Sequence, residues 1–470
     1  MHYLTVTRRP LLTETDLTAI EAAAARILSE IGIRVPDEQL RGRLSQCGFH
    51  VRGERILFDG RNAARALAAE RSASAGALPQ PAEPDVDHPL TLHTLGYAQW
   101  ERDLLTGRLD RFTTESLVRG TMLVDMARDR GVLPGMPGTP TDVPPALQPV
   151  LQYWIGATHL SGGCPPVDPK GRDAMPFVMD MAEALGTPVR SLPVYAFSPL
   201  TLAGESLDCV VAFRDRLDSV GVGSMVSLGC SAPIHPADAL AMSLAEAFGS
   251  AVLLRELLQM PVEWHLEVVP IDLRSLSMVF GSPENCLLQL ACTEANAFFH
   301  GGRWPPGAGN VLTNATEPGA QACAERASLM TAGALLGQRS FGAAGALSLD
   351  EAFSAEQFVY DLEIKDHVER LVCGLDVAPD EDRCLGDVTE AIQVGSFAAL
   401  ETTAKAHRGI YWTPRVFSRR LVGAGSGTDC LAEEARRYAN ELIGGHTFRL
   451  PEGVQAGIDG ILAHARRILT

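Results

Sequence analysis

The 470-residue sequence lacks the long apolar segments that would place it in or across a membrane. It has no stretch of about 18 uncharged apolar residues, so it predicts no membrane span. Its first residues, MHYLTVTRRPLLTETD, contain no apolar core of signal-peptide length and no small-residue cleavage site. We therefore expect a cytoplasmic protein.

The sequence also lacks cysteines at the spacing of a metal-binding motif. Ten cysteines are scattered along the chain, and none forms Cys-x-x-Cys. Most lie inside apolar runs, as Cys209 and Cys286 do, which favours small buried thiols over a zinc site. We expect no metal ion bound to this chain.

Basic residues are too few for a protein that binds nucleic acid. The chain has 40 Lys and Arg against 57 Asp and Glu, a formal net charge of −17. A nucleic-acid footprint requires clustered Lys and Arg. The acidic balance suits a cationic ligand or a basic partner instead.

Several nucleotide-binding and hydrolase motifs are absent. There is no Gly-x-Gly-x-x-Gly after the first strand, no P-loop, no Gly-x-Ser-x-Gly and no His-Glu-x-x-His. From about residue 152, short apolar runs alternate with helix-compatible stretches, which predicts βαβ units and parallel strands. The number of repeats favours a closed (β/α)8 TIM barrel over an open doubly wound sheet. The predicted strands are residues 158–160, 193–197, 221–226, 262–268, 297–299 and 340–344, separated by helices at 171–185, 206–219, 237–258, 282–295 and 321–337.

The N-terminal part predicts a smaller α/β unit. A helix capped by Thr15 or Asp16 is followed by short strands and two further helices. We expect residues 1–105 to form an N-terminal α/β extension with a linker. Residues 106–470 should form the barrel domain with its C-terminal helices.

Active sites of β/α barrels lie at the C-terminal ends of the strands, and one predicted strand carries a polar face. Glu263, His265 and Glu267 alternate with apolar neighbours, so a period of two puts all three on one side. If that side is the barrel interior, the three groups could act in acid-base catalysis. A metal site is a weaker alternative, because three ligands from one strand rarely converge on one ion. The face could also be a solvated rim.

The loop at residues 300–318 is a second candidate site. Among its glycines and prolines it carries His300, Arg303, Trp304, Asn310 and Asn314. These can supply hydrogen bonds and an aromatic face for a cation. The alternative is a solvated surface loop.

Acidic residues follow the next predicted strand. Asp350, Glu351 and Glu356 could bind a ligand or could simply favour the N-terminus of a helix. Ser354 and Gln357 have the spacing of a capping box at that helix.

Several segments resemble the trimethylamine methyltransferase superfamily of corrinoid-dependent methyltransferases. They are ILSEIGIRVPDEQL (27–40), TGRLDRFTTESL (106–117), SPLTLAGESL (198–207), FGSPENCLLQLA (280–291), EPGAQACAERASLMTAGALLG (317–337) and GAAGALSLDEAFSAEQFVYDLEI (342–364). The resemblance covers nearly the whole chain and implies a β/α barrel with a small N-terminal extension. It also implies methyl transfer from a methylated amine to the cobalt of a corrinoid (cobalamin) carried by a separate protein, with no cofactor bound tightly here.

The resemblance further indicates which branch of the family applies. Trimethylamine enzymes carry pyrrolysine before a QAxxE-like segment, whereas the corresponding residues 306–310 are all standard. This implies the non-pyrrolysine branch, whose known members demethylate quaternary amines such as glycine betaine. A quaternary ammonium already has a neutral leaving group, so the protein needs mainly to hold the cation and align one methyl group.

The resemblance also suggests roles for the candidate residues. The aromatic wall would come from Trp304, Phe341, Phe353 and Tyr360; Glu263 or Glu351 would balance the charge; and Arg303, His300 or the pair Asn310 and Asn314 would hold a substrate carboxylate. We expect a small methylated amine, a cognate corrinoid protein and further copies of this chain as partners. Two alternatives remain open: another barrel enzyme centred on Glu263, His265 and Glu267, and a non-catalytic binder of methylated amines.

Overall fold

The computed structural model describes residues 4, 6, 8–74, 90–165, 167–168, 170–302, 309–419, 421 and 431–469. The helices are α1 (Glu14–Glu30), α2 (Glu38–Gln46), α3 (Gly60–Ser74), α4 (Thr114–Met126), α5 (Gln148–His159), α6 (Met175–Ala184), α7 (Glu205–Ala212), α8 (Pro236–Leu258), α9 (Pro283–Phe299), α10 (Ala320–Leu335), α11 (Ala355–Val372), α12 (Glu381–Val394), α13 (Glu401–Ile410), α14 (Leu431–Gly444) and α15 (Glu452–Ile468). The strands are β1 (Ile33–Arg34), β2 (His50–Arg52), β3 (Arg55–Leu57), β4 (Thr91–Leu92), β5 (Trp100–Arg102), β6 (Leu109–Arg111), β7 (Ser191–Tyr195), β8 (Ser219–Ser227), β9 (Val262–Val269), β10 (Ile271–Asp272), β11 (Ser277–Met278), β12 (Gly309–Asn310), β13 (Ser340–Gly342), β14 (Ala346–Leu347) and β15 (Ala352–Ser354).

The N-terminal unit packs α1 against α8 and places the antiparallel sheet β1–β3–β2 beside it. Helix α1 begins earlier than predicted, because Thr13 and Asp16 form a capping box in which each side chain accepts a hydrogen bond from the other residue's backbone N–H. The predicted cap at Thr15 or Asp16 is therefore wrong. The proposed division at residues 105 and 106 stays a prediction.

Parallel strand pairs occur in three sheets: β14–β15–β5–β6, in which β15 and β5 are parallel, and two sheets that form separate arcs. One arc is β7–β8–β9, and the other is β12–β13–β4, which is extended by a parallel bridge from Leu92 to Val132. The predicted strands at 193–197, 221–226, 262–268 and 340–344 are confirmed within a few residues. The alternation of strands and helices is thus that of a mixed α/β protein.

The two arcs do not pair with each other between β9 and β12 in the part of the chain that the structure describes. Backbone groups at the free edge of β9 form hydrogen bonds with side chains of α9 instead. The Asn296 amide donates to the Leu266 carbonyl oxygen over 2.9 Å, and the Asn296 side-chain oxygen accepts from the Leu266 N–H over 3.1 Å. The Val268 N–H donates to Cys292 Sγ over 3.3 Å. Hydrogen bonding therefore defines two arcs here, not one continuous ring.

Two predicted strands are wrong. Residues 158–160 close helix α5, and residues 297–299 close helix α9. Residues 297–299 are a short apolar run at the end of a helix, which cannot be told from a strand by pattern alone. Residues 158–160, Thr-His-Leu, are too few and too mixed in polarity to show a period. The strand that precedes α10 is β12, which begins at Gly309.

Helix α8 forms the centre of the core. Among the described residues it alone is long and apolar enough to cross a membrane by length and composition, and 83% of its most apolar window is buried inside the protein. It packs against α1, β8 and β9. These contacts identify it as a core helix of this fold.

Helices α12 and α13 form an arm that stands away from this core. Ala391 is the one buried residue of α12, and α13 has none. Leu385 is 69% exposed and Ile392 is 77% exposed. The arm thus presents apolar side chains that nothing in the described chain covers.

Candidate functional site

A cavity of about 420 Å³ opens among the loops that follow β4, Val132 and α5. The polar and charged side chains on its wall come from three distant parts of the sequence: His93, Thr94, Tyr97, Gln152, Asp168, Lys170 and Ser340. Because the loops after parallel strands gather at one end of the fold, this is the end at which barrel active sites lie.

Two tyrosines and a carboxylate meet beside this cavity. The Tyr195 hydroxyl donates to Asp168 Oδ1 over 2.8 Å, and the Tyr97 hydroxyl lies 3.5 Å from that of Tyr195. Burial raises the pKa of Tyr97 to about 12 and raises the pKa of Tyr195 as well, so both phenols are neutral near pH 7. We call Tyr97, Tyr195 and Asp168 the aromatic box.

Strand register links the aromatic box to His265. Tyr195 on β7 pairs with Gly223 on β8, which pairs with His265 on β9. A Cβ atom at Gly223 would lie 3.3 Å from His265 Cε1 and 3.7 Å from Tyr195 Cδ1. The glycine therefore leaves the space in which both rings sit, on one face of the arc.

The polar face of β9 is confirmed. Trp264, Leu266 and Val268 are buried, and Trp264 packs edge-on against Phe248 of α8 with ring centroids 5.7 Å apart. Glu263, His265 and Glu267 occupy the other face, which is open to solvent.

Glu267 is half-buried on this face, whereas Glu263 and His265 are exposed. Desolvation raises the pKa of Glu267 to about 7 and lowers the pKa of His265. Both line a second cavity of about 290 Å³ between α9, α10 and the strands. Glu263 is exposed near the opposite end of β9, about 13 Å from Glu267 at the usual strand rise. Glu267 is therefore the better acid-base candidate of the two carboxylates.

Asn310 and His93 face each other across Gly342. A Cβ atom at Gly342 would collide with the Asn310 side-chain oxygen and would lie 2.8 Å from His93 Nε2. Burial lowers the pKa of His93. Asn310 is half-buried and also lines the second cavity. Gly309 and Asn310 are the two residues of segment 306–310 that the structure describes.

Four predicted site residues lie elsewhere. His300 follows the last turn of α9 and stacks on Trp264, with ring centroids 4.3 Å apart, on the side of β9 that faces the helices. Phe341 is 1% exposed and points toward Gly333 of α10. Phe353 packs between Phe112 and Phe358, with ring centroids about 6 Å from each. Tyr360 is buried on α11 and donates to Glu356. Core packing explains the apolar or aromatic character of all four, and Phe353 also lines a small cavity, one of about 110 Å³ away from the aromatic box.

The remaining predicted residues have other positions. The Asn314 amide donates to the Met278 carbonyl oxygen over 2.6 Å, and its oxygen accepts from the Gly281 N–H over 3.4 Å, so Asn314 ties two loops together. Glu351 is exposed, and its carbonyl oxygen accepts from the N–H groups of Gln99 and Trp100. Arg303 and Trp304 lie outside the described residues.

A buried ion pair supports the segment with the most specific family resemblance. Arg326 Nη1 donates to Asp361 Oδ2 over 2.9 Å and to the Ala343 carbonyl oxygen over 2.8 Å, while Nη2 donates to the Ala346 carbonyl oxygen. Asp361 also accepts from the Gly345 N–H over 2.7 Å. Both charged side chains are fully buried. They hold the turn after β13, in which Ala343 has φ +71° and Gly345 has φ +77°.

Metal binding has no donor set in the described part of the chain. No group of three or more His, Cys, Asp or Glu side chains there could hold a metal ion. The metal version of the Glu263, His265 and Glu267 alternative therefore has no geometric support.

The sequence reasoning missed Tyr97, Asp168, Lys170 and Tyr195. Tyr195 ends a strand that was predicted, and the rule that sites lie at strand ends could have found it. Tyr97 and Asp168 lie in irregular segments, so their proximity to Tyr195 depends on the tertiary fold.

Comparison with known proteins gives a family match. A model of the trimethylamine methyltransferase family (MTTB) matches residues 4–95 and 176–454. The glycine betaine methyltransferase of Desulfitobacterium hafniense is 24% identical over 424 residues, which are 87% of each chain. The trimethylamine methyltransferase MttB2 of Methanosarcina mazei is 27% identical over 270 residues, 57% of this chain and 54% of that one. The chain thus spans about half the length of the trimethylamine methyltransferases that it matches.

A solved structure also aligns with the chain. The monomethylamine methyltransferase of Methanosarcina barkeri superposes with a TM-score of 0.40 at 10% identity, covering 95% of this chain and 97% of that one.

Proposed function

This chain belongs to the trimethylamine methyltransferase family, and on that premise we propose that it moves a methyl group from a small quaternary amine, similar to glycine betaine, to the Co(I) of a corrinoid carried by a partner protein. No corrinoid is bound tightly to the chain itself in this proposal. The corrinoid supplies the nucleophile that accepts the methyl group.

The observation that carries the proposal is the aromatic box. Two neutral phenols and the Asp168 carboxylate lie beside a cavity of about 420 Å³. Aromatic faces attract an alkylated ammonium, typically by about 0.5–2 kcal/mol each. A carboxylate next to them balances the charge of the bound cation. This chemistry suits a quaternary ammonium better than a neutral amine.

The work left to the protein is then binding and alignment. A quaternary ammonium leaves as a neutral tertiary amine, so no covalent adduct with the protein is required. The protein holds the cation with one methyl group directed toward the acceptor. This orientation lowers the entropic cost of bringing the two reactants together. His265 stands next to Tyr195 across Gly223 and limits the directions in which the substrate can turn.

Glu267 is a candidate proton donor to the product amine. Its pKa of about 7 means that a large fraction of the carboxyl is protonated near neutral pH. Glu267 lines the second cavity together with His265, so we propose that the tertiary amine takes this proton there after it has left the aromatic box, and the protonated amine cannot take the methyl group back.

Asn310 and His93 support assignment to the non-pyrrolysine branch. An amide and a neutral imidazole flank the gap over Gly342, and neither would form an adduct with an amine under these conditions. The similarity to a glycine betaine methyltransferase over 87% of both chains supports the same assignment.

We further propose that the two arcs belong to one (β/α)8 barrel. Strands β13 and β4 pair in parallel, as the last and first strands of such a barrel do. In this proposal the barrel therefore begins with β4, before the predicted division at residues 105 and 106. Helices α4 to α11 would then be its outer layer. The gap between β9 and β12 would be bridged by packing of α9, not by a strand ladder.

The partner would dock at the mouth formed by the loops after β7, β8 and β9. Phe197, Ile234 and Leu276 are 56%, 53% and 66% exposed on these loops. Exposed apolar side chains on neighbouring loops are typical of an interaction surface. The corrinoid protein is the occupant that this function requires.

A second copy of the chain would cover the arm formed by α12 and α13. The arm carries five acidic and three basic side chains at residues 381–411, so its charge does not favour the contact. Its exposed apolar residues supply the contact.

A second candidate function is acid-base catalysis by another barrel enzyme, and the raised pKa of Glu267 favours it. A third is a non-catalytic binder of methylated amines, which the aromatic box alone would permit. Activity measurements separate the three functions.

The test mixes the purified protein with chemically reduced cob(I)alamin and a panel of glycine betaine, carnitine, choline and trimethylamine. Absorbance follows the loss of Co(I). We expect turnover with at least one quaternary amine and none with trimethylamine. Tyr97→Leu should lower the rate, whereas Lys405→Met on the exposed arm should not. Binding of quaternary amines without turnover would favour the binder, and turnover with trimethylamine alone would contradict the assignment to the non-pyrrolysine branch.

A further inference from the structure

Lys170 is the only lysine or arginine among the described residues that line the cavity beside the aromatic box. Its Nζ lies 5.4 Å from the centroid of the Tyr97 ring, within the range of a cation–π contact. Among the residues that the structure places, its ammonium forms no ion pair within 4 Å, but its charge acts on the nearby Asp350 and opposes the rise in the pKa of that carboxyl that burial causes. A cation already rests on the aromatic face that the proposed substrate would use.

Lys170 is attached to the aromatic box through the backbone. Its N–H donates to the Asp168 carbonyl oxygen over 2.8 Å, and the Asp168 carboxylate accepts from Tyr195. The side chain itself is exposed. Its four-carbon stem is flexible, so the ammonium can leave the ring while the aromatic box stays in place.

We propose that Lys170 is an internal competitor for the ammonium site: it occupies the face of Tyr97 in the free protein and withdraws when a quaternary ammonium enters. The proposal rests on the proposed function, because it takes the substrate to be such a cation. Two positive charges a few ångströms apart repel each other, so both cannot occupy the aromatic box.

The displaced lysine then selects among substrates. It remains tethered beside the aromatic box, where its positive charge would lie near any carboxylate on a short substrate. A zwitterion such as glycine betaine would regain an ion pair with Lys170 that a simple cation such as tetramethylammonium cannot make. Lys170 would therefore disfavour simple quaternary ammonium ions and favour betaines.

Calorimetric titration with tetramethylammonium and with glycine betaine tests this directly. In Lys170→Met, tetramethylammonium should bind about two- to fivefold more tightly than in the unaltered protein, which is the effect of removing one exposed cation–π competitor. Glycine betaine should gain nothing, so the preference for the betaine should fall by at least the same factor. Lys170→Arg should keep the preference, and Lys405→Met on the exposed arm should change neither affinity.

A double variant shows whether the effect passes through Tyr97. In a Tyr97→Leu background, Lys170→Met should no longer tighten the binding of tetramethylammonium, because the shared site is gone. Circular dichroism of each variant verifies that it is folded. Unchanged or weaker binding of tetramethylammonium by Lys170→Met would overturn the proposal, and so would a preference for glycine betaine that does not fall.

Failure of this inference is distinguishable from failure of the proposed function. If the unaltered protein transfers no methyl group but Lys170→Met binds tetramethylammonium more tightly, the competition stands and the methyltransferase proposal fails. If transfer occurs and the affinities do not change, the competition alone is refuted.

Discussion

Replacing Arg326 by methionine should destabilise the protein by about 3–5 kcal/mol, the cost of breaking a buried ion pair by removing one partner. Arg326 and Asp361 are both fully buried. The substitution leaves the Asp361 carboxylate without its cation and deprives the carbonyl oxygens of Ala343 and Ala346 of their donor. Each buried group left unsatisfied costs about 1–3 kcal/mol. Methionine fills the space of the aliphatic stem, so a cavity adds little.

Urea denaturation followed by circular dichroism measures this loss as a fall in the transition midpoint. Arg26→Met on α1 is the matched control: its side chain is 76% exposed and pairs with Glu30, so we expect a change below about 0.5 kcal/mol. The double variant Arg326→Met with Asp361→Leu should recover part of the loss, because it removes the unpaired charge but leaves the Gly345 N–H without its acceptor. A loss in Arg326→Met as small as that in Arg26→Met would refute the reasoning.

Three further predictions concern the site and the arm. Burial raises the pKa of Glu267 to about 7 from its ordinary 4.5. The stability linked to its proton is therefore complete below about pH 4.5 and is lost as pH rises through 7. Glu267→Gln should be the more stable protein at pH 8, and urea midpoints with the same pH slope in both proteins would contradict this. Gly223→Ala should slow methyl transfer about tenfold because its Cβ would lie 3.3 Å from His265 Cε1. Gly221→Ala on the same strand is the control, because its Cβ meets nothing within 4 Å. Initial rates with glycine betaine compare the two variants, and equal rates would contradict the prediction. Leu385→Glu on the arm should lower the sedimenting mass toward that of one chain, and an unchanged oligomer would count against the second-copy contact.

The periodic parts of the fold are predictable from the sequence. The alternation on β9 and the cap at Ser354, whose side chain accepts from the Gln357 N–H over 3.2 Å, depend on local spacing alone. The false strands at 158–160 and 297–299 arise where the last residues of a helix form a segment too short to show a helical period. Local pattern alone does not decide between the two.

The site is less predictable because it depends on register and on distant contacts. On β13, Phe341 faces α10 and Gly342 faces the interior; a shift of one residue exchanges the two faces, and nothing in that short run determines the choice. The aromatic box joins the loop after β4, the end of β7 and the irregular segment after α5. Only the tertiary fold brings these three parts together.

The central claim is that this chain carries a methyl group from a quaternary amine to a corrinoid, and isotope counting tests it most directly. The protein is incubated with reduced corrinoid and glycine betaine whose N-methyl carbons are ¹³C, and both products are quantified by NMR. The claim predicts one labelled methyl group on the corrinoid for each dimethylglycine formed. Dimethylglycine without label on the corrinoid, or bound glycine betaine that yields no dimethylglycine, would contradict it.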